Sequence, residues 1–145
     1  MARIKIDIPP AFGFCTNIVI RITDINYGGH VGNDSMLSLA HEARIQFLRF
    51  HGFDEMNLDG VGLIMSDAAL EFKREIFYGD LLRISVAACE FSKVGFDLVY
   101  KMEKQNGAQY ILAALAKTGM ICYHYELKKI VAVPAGVRAK MQVQY

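Results

Sequence analysis

Polar and apolar positions alternate or cycle along nearly the whole chain, and the period changes once. Ile4, Ile6 and Ile8 alternate until Pro9 and Pro10 break the pattern. Residues 14–23 alternate again, with Ile18, Ile20 and Ile22 on one side, and predict a first strand. The period then lengthens. Met36, Ala40, Ala43, Phe47 and Phe50 recur at steps of three and four, and Ser35, Ser38, Glu42, Gln46 and Arg49 form a narrower polar stripe. This predicts a long helix, and Leu37, Leu39, Ile45 and Leu48 widen its apolar surface so far that the fold must wrap it. Asn33, Asp34 or Ser35 is expected to cap its start, and Gly52 to stop it.

Period two returns afterwards. Residues 63–77 read as a strand with Leu70, Phe72 and Ile76 opposite Glu71, Lys73 and Glu75. Tyr78-Gly79-Asp80 is a turn, and 82–88 and 96–103 alternate as further strands. Asn106-Gly107 signals a two-residue hairpin into a long run over 110–125. Pro134 can open a short helix reaching Met141. Strand, long helix, then consecutive antiparallel strands is an α+β order, and no repeat or linker divides it, so the expectation is a single domain over 1–145.

Composition narrows the function. Hydrophobic residues make up 53% of the chain, yet no run approaches the roughly 20 apolar residues of a membrane span. The surplus fits a sheet face and a subunit interface. A net charge of +1 argues against a nucleic-acid footprint. Residues 1–7 lack the apolar core of a signal peptide, so a cytoplasmic location is expected. Cys15, Cys89 and Cys122 are odd in number and far apart, which reads as three buried small hydrophobes. His30, His41, His51 and His124 have no metal-ligand spacing, and neither metal nor dissociable cofactor is expected.

Polar residues crowd between the first strand and the helix: Asp24, Asn26, Tyr27, His30, Asn33 and Asp34, among Gly28, Gly29 and Gly32. A helix N-terminus offers unsatisfied backbone N–H groups, and glycines let a substrate approach them. The stretch Asp24-Ile25-Asn26-Tyr27-Gly28-Gly29-His30-Val31-Gly32-Asn33, the helical Glu42-Ala43-Arg44, and 71–80 ending in Gly79-Asp80 resemble the hotdog-fold thioesterases, in the branch typified by 4-hydroxybenzoyl-CoA thioesterase. The likeness follows most of the chain in order of elements. It implies a curved antiparallel sheet wrapped round one central helix, dimers that join their sheets and often pair into tetramers, and active sites at the dimer interface. It implies acyl-CoA or acyl-carrier-protein thioesters as substrates.

One departure matters. Where that family places its catalytic carboxylate, four residues before the histidine, stands Asn26, an amide that is neither base nor nucleophile. Asp24 lies two residues earlier and shares the side of Asn26 if the strand continues. Asp24 is therefore the expected base that orients water, with Asn26 positioning the water or the thioester oxygen and His30 donating to that oxygen or orienting a carboxylate. Tyr27, Gly28, Gly29, Gly32, Asn33, Glu42, Ser66 and Asp67 are the expected substrate-binding residues, Glu42 being a second carboxylate candidate. Two other functions compete. Asp24-Ile25-Asn26 partly echoes the Asp-x-Asn-Pro-x-His of hotdog enoyl thioester hydratases, although His30 is one position too far and Tyr27 stands where proline would be. A non-catalytic protein that binds acyl thioesters is the third reading.

Overall fold

The computed structural model describes residues 1–142; the single-domain expectation runs three residues beyond them. Strand β1 (Cys15–Val19) is followed by a 3-10 turn (Ile22–Asp24), helix α1 (Asn33–Phe50), and strands β2 (Gly62–Phe72), β3 (Leu81–Cys89), β4 (Gly95–Asn106) and β5 (Gln109–His124). A short β6 (Lys129–Ile130) and α2 (Val137–Met141) close the chain. The strands form one antiparallel sheet in the order β1-β3-β4-β5-β2, with β6 added to β5. The sheet curves round α1, which is the hotdog arrangement.

The helix buries Met36, Leu39, Ala40, Ala43, Phe47 and Leu48. They meet Leu82, Ile84, Val86, Leu98, Tyr100, Met102, Ala114, Ala116 and Met120 from the inner side of the sheet. The small Ala40 and Ala43 let the helix axis approach the strands, and the removal of this apolar surface from water is the main stabilising term. The outer side has its own smaller core. Ile6 and Phe12 of the N-terminal arm lie on Ala87, Val99 and Leu115, and Ile6 N–H donates to Glu71 Oε2 at 3.1 Å.

Four expectations are corrected. The first strand ends at Val19, because residues 22–24 turn as 3-10 helix instead of continuing to Thr23. The strand expected over 63–77 ends at Phe72, where Lys73 N–H and Arg74 N–H both donate to the carbonyl of Ala113. Phe50 lies largely exposed at the helix end. Of the cysteines only Cys122 is buried; Cys89 is half-buried and Cys15 exposed. Burial pushes the Cys89 and Cys122 thiols up to about 11, so both stay protonated and unreactive at neutral pH.

A free strand edge bears on the site. β2 pairs with β5 on one side only, and its other edge has no partner among the described residues. An unpaired edge of this length is a template for another strand.

Candidate active site

The loop that enters α1 is closed on itself. Asn26 N–H donates to the carbonyl of His30 at 2.9 Å, Gly29 N–H to that of Asn26 at 3.1 Å, and Ile25 bridges Val31. The Asn26 side chain accepts from Gly28 N–H at 2.9 Å through Oδ1, an Asx turn, and its amide nitrogen lies beside Gly32 at the helix start. Val31 N–H donates to the carbonyl of Ile76 at 2.8 Å and ties the loop to the segment leaving β2. Between loop and segment lies a cleft of about 410 Å³ lined by Asn26, His30, Asn33, Met36, Phe72 and Arg74, with Val31, Lys73, Glu75 and Ile76 completing it.

Three features give this cleft chemistry. His30 Nδ1 lies 3.2 Å from the carbonyl of Val31; a carbonyl can only accept, so Nδ1 carries the proton. In the neutral form of the ring Nε2 is then the lone-pair acceptor. The second feature is the helix start. Gly32, not Asn33, occupies the cap position, and no side chain caps it. Among the described residues nothing accepts from the N–H groups of Asn33, Asp34 and Ser35. The third is close packing: a methyl group added to Gly32 would meet Asp34 Oδ1 at 2.6 Å and Asn26 Cβ at 3.3 Å. Only glycine leaves this corner open.

The remaining expected residues lie as follows. Asp24 is buried, and its carboxylate accepts from Arg21 N–H at 2.8 Å and from the Arg21 guanidinium at 3.3 Å. It closes the 3-10 turn and does not line the cleft. Tyr27 is fully exposed, and Gly28 and Gly29 form the exposed tip beside it. Glu42 accepts from the Gln46 amide at 2.8 Å and lines a separate groove of about 480 Å³ with Asn17, Arg21, Ser38 and His41. Ser66 and Asp67 were expected among the substrate-binding residues, lining the cavity. A bulge between Met65 and Asp67 changes the parity of β2. Met65 consequently pairs with Met120 on the inner side, whereas Asp67 binds Lys117 Nζ at 3.0 Å and Gly119 N–H at 2.9 Å on the outer side. The Lys117 ammonium holds the Asp67 carboxyl below its usual range. Ser66 donates to the carbonyl of Gly119 at 3.2 Å.

Sequence reasoning passed over two groups. Glu75 brings a carboxylate to the cleft wall, and its exposed alternating position read only as a strand's wet side. Arg44, on the helix between Ala43 and Ile45, is 7% exposed, donating to Glu55 through Nε and to Tyr100 at 3.3 Å. Glu55 also accepts from His41 at 3.2 Å. Among the described residues no cluster of His, Cys, Asp or Glu has metal-binding geometry, and no helix is long and apolar enough to cross a membrane.

A wrapped helix whose uncapped N-terminus opens on a cleft beside an imidazole is a hotdog architecture whose groups answer the needs of acyl transfer to water. The chain belongs to the thioesterase-like superfamily, whose model matches residues 20–141. A 1,4-dihydroxy-2-naphthoyl-CoA hydrolase from Microcystis aeruginosa is 28% identical over 123 residues, 83% of this chain and 86% of that protein. A putative esterase from Aquifex aeolicus is 28% identical over 111 residues, 75% of this chain and 82% of its own. In fold, the crystal structure of a 4-hydroxybenzoyl-CoA thioesterase variant complexed with 4-hydroxybenzoyl-CoA superposes with a TM-score of 0.80, at 17% identity, over 89% of this chain and 98% of that one.

Proposed function

We propose that the protein hydrolyses acyl-CoA thioesters to a carboxylic acid and free coenzyme A, with His30 as the base that activates water. The observation that carries this reading is the pairing of a His30 Nε2 lone pair with an uncapped helix N-terminus in one cleft. In this reading the thioester carbonyl lies over the N–H groups at the start of α1, where developing negative charge meets unsatisfied donors and the positive end of the helix dipole. The amide nitrogen of Asn26, beside Gly32, holds the attacking water. His30 takes the water's proton as oxygen bonds to carbon, and that proton then passes to the departing thiolate. Asp24 acts one step back: through Arg21 it holds the turn that presents the loop. Arg74, at the mouth of the cleft, meets a phosphate of coenzyme A.

We also place the working form as a homodimer joined along the free edge of β2, with the sites at that seam, and with a tetramer as the larger assembly. Coenzyme A thioesters as substrates favour a cytoplasmic location. Substrates carried on an acyl carrier protein are the variant reading, since the cleft is open at the surface and the same chemistry serves both. Thiol release measured over short, long and aromatic acyl-CoAs tests the proposal. His30→Gln should lower kcat/KM by about 100-fold or more, the usual worth of a general base. Asp24→Asn should leave kcat within a few-fold while lowering the melting temperature. Loss of turnover in Asp24→Asn at full stability would instead make Asp24 the base, and consumption of crotonyl-CoA without thiol release would favour a hydratase.

A further inference from the structure

Glu75 stands in the cleft that holds His30 and Asn26, and the chain fixes it there from both sides. Before it, Lys73 N–H and Arg74 N–H both donate to the carbonyl of Ala113. After it, Ile76 is buried and its carbonyl accepts from Val31 N–H at 2.8 Å, while Phe77 N–H donates to the Asp80 carboxylate at 2.8 Å. His30 and Glu75 each lie one residue from the bond between Val31 and Ile76, on facing segments.

The acids near this cleft differ in one respect. Asp24 is bound by Arg21. Glu71 accepts from Lys73 Nζ at 2.7 Å and from Ile6 N–H at 3.1 Å. Asp80 accepts from Phe77 N–H and lies 3.8 Å from Lys104 Nζ. The backbone carbonyl of Glu75 accepts from Lys104 Nζ at 2.8 Å, yet among the described residues nothing donates to its carboxylate. The residue is exposed, so water solvates that charge. Among the described residues it is the one carboxylate that lines the cleft, and it is free to accept.

We propose that Glu75 is a catalytic residue: its carboxylate accepts one hydrogen of the attacking water while His30 Nε2 takes the other. The inference rests on the thioester reading above and adds the group that aims its water. A water molecule has two hydrogens and two lone pairs. Attack needs one lone pair on the carbonyl carbon, and the Asn26 amide nitrogen donates to the other. The hydrogens then need two acceptors, and the loop supplies only His30, since Asn26 Oδ1 already accepts from Gly28 N–H. Glu75 is the second, and four fixed directions leave the water a single orientation. As oxygen bonds to carbon, one O–H bond breaks toward His30 and the carbonyl electron pair moves onto its oxygen over the helix start. When the carbon–sulfur bond breaks, sulfur keeps the bonding pair and takes the proton from His30. The hydrogen still on the new carboxylic acid passes to Glu75 and then to solvent, so the product leaves as an anion repelled by the carboxylate beside it.

Thiol release by the full-length protein tests this, with the acyl-CoA that the native protein turns over fastest. Glu75→Ala should lower kcat about 10-fold or more with KM within about 3-fold, because the lost contact is to water and not to substrate. Its melting temperature should match the native one, since the carboxylate has no protein partner. Added formate should restore part of kcat in Glu75→Ala and none in His30→Gln, because a free carboxylate fits the space that alanine leaves. Glu75→Gln, whose side-chain oxygen still accepts, should lose less than Glu75→Ala. An unchanged kcat in Glu75→Ala overturns the proposal alone and leaves the hydrolase reading standing. A rise in KM without a fall in kcat also overturns it and turns Glu75 toward the coenzyme. So does a loss that formate leaves unrepaired and Glu75→Gln shares in full. No thiol release by the native protein from short, long or aromatic acyl-CoAs overturns both readings together.

Discussion

The two ends of α1 are finished in opposite ways. At its C-terminus the carbonyls of Phe47, Leu48 and Arg49 are met: His51 N–H donates to Phe47 and Leu48, Gly52 N–H to Arg49 at 2.9 Å, and Phe53 N–H to Leu48 at 2.8 Å. Gly52 sits at φ 85°, the left-handed conformation that lets the chain reverse there. Aromatic rings seal the outside, with Phe47 5.8 Å from Phe14 and 4.7 Å from His51. At the N-terminus Gly32 offers no cap, and among the described residues nothing accepts from the first N–H groups. Glycine at the cap costs only about 0.3 kcal/mol against serine, so this end forgoes little stability in staying open. One helix carries both a closed end that holds the fold and an open end whose unmet donors suit a developing oxyanion.

Mutations should separate the two ends. The largest effect is expected at the closed one. Phe47→Ala removes a ring buried against Phe14 and the sheet, and should cost about 3–5 kcal/mol by chemical denaturation. Because the loop at residues 24–33 is tied to the segment around Ile76 and not to this end, the folded fraction should keep its KM. A raised KM in the folded fraction would mean that the two ends communicate.

Gly32→Ser comes next and works in the opposite sense. Its new Cβ displaces the end of the Asp34 side chain and presses on Asn26 Cβ, and its hydroxyl caps a helix N–H. Stability should change by less than about 0.5 kcal/mol, whereas kcat/KM should fall about 10-fold or more because a donor is occupied and the corner filled. A variant that is both stable and fully active would show that the open end is not where the carbonyl binds.

The same contrast explains what could be read from the chain. The long helix, the strands after it and the hairpin at Asn106-Gly107 follow from local alternation, and local alternation is what a buried face imposes. Misplaced residues were those whose position depends on a break in that alternation. Asp24 was put on the side of Asn26 by counting in twos, but the exchange of hydrogen bonds between Arg21 and Asp24 turns the chain into a 3-10 helix, where that count fails. Asp67 was turned outward by one extra residue in β2, which no hydrophobic pattern signals. Arg44 was invisible for another reason. A charged residue on a helix reads as solvent-facing, and only the partners Glu55 and Tyr100, distant in sequence, make its burial stable. Of the loop itself, Asn26, His30 and Asn33 line one cleft as a group, because their closeness in sequence survives folding into a closed turn.

The smallest expected effect belongs to the closed end and is electrostatic. His51 sits between Phe47 and Phe50, and burial lowers its pKa from the ordinary 6.5, against the opposing pull of a hydrogen bond to the Lys140 backbone. The folded protein therefore binds this proton less readily than the unfolded chain does. Between the lowered folded value and about 6.5 the unfolded state carries more protons, so stability rises with pH there. The contribution is complete above about 6.5 and is lost as pH falls toward the folded value. Between pH 7 and pH 5 the melting temperature should drop by about 1–2 °C more in the native protein than in His51→Gln, which has no proton to gain. Matching slopes in the two proteins would mean that the imidazole is already solvated and that the aromatic seal at this end of α1 is looser than its ring contacts imply. A steeper slope in His51→Gln would place the pH sensitivity elsewhere, the His41–Glu55 pair being the next group to replace.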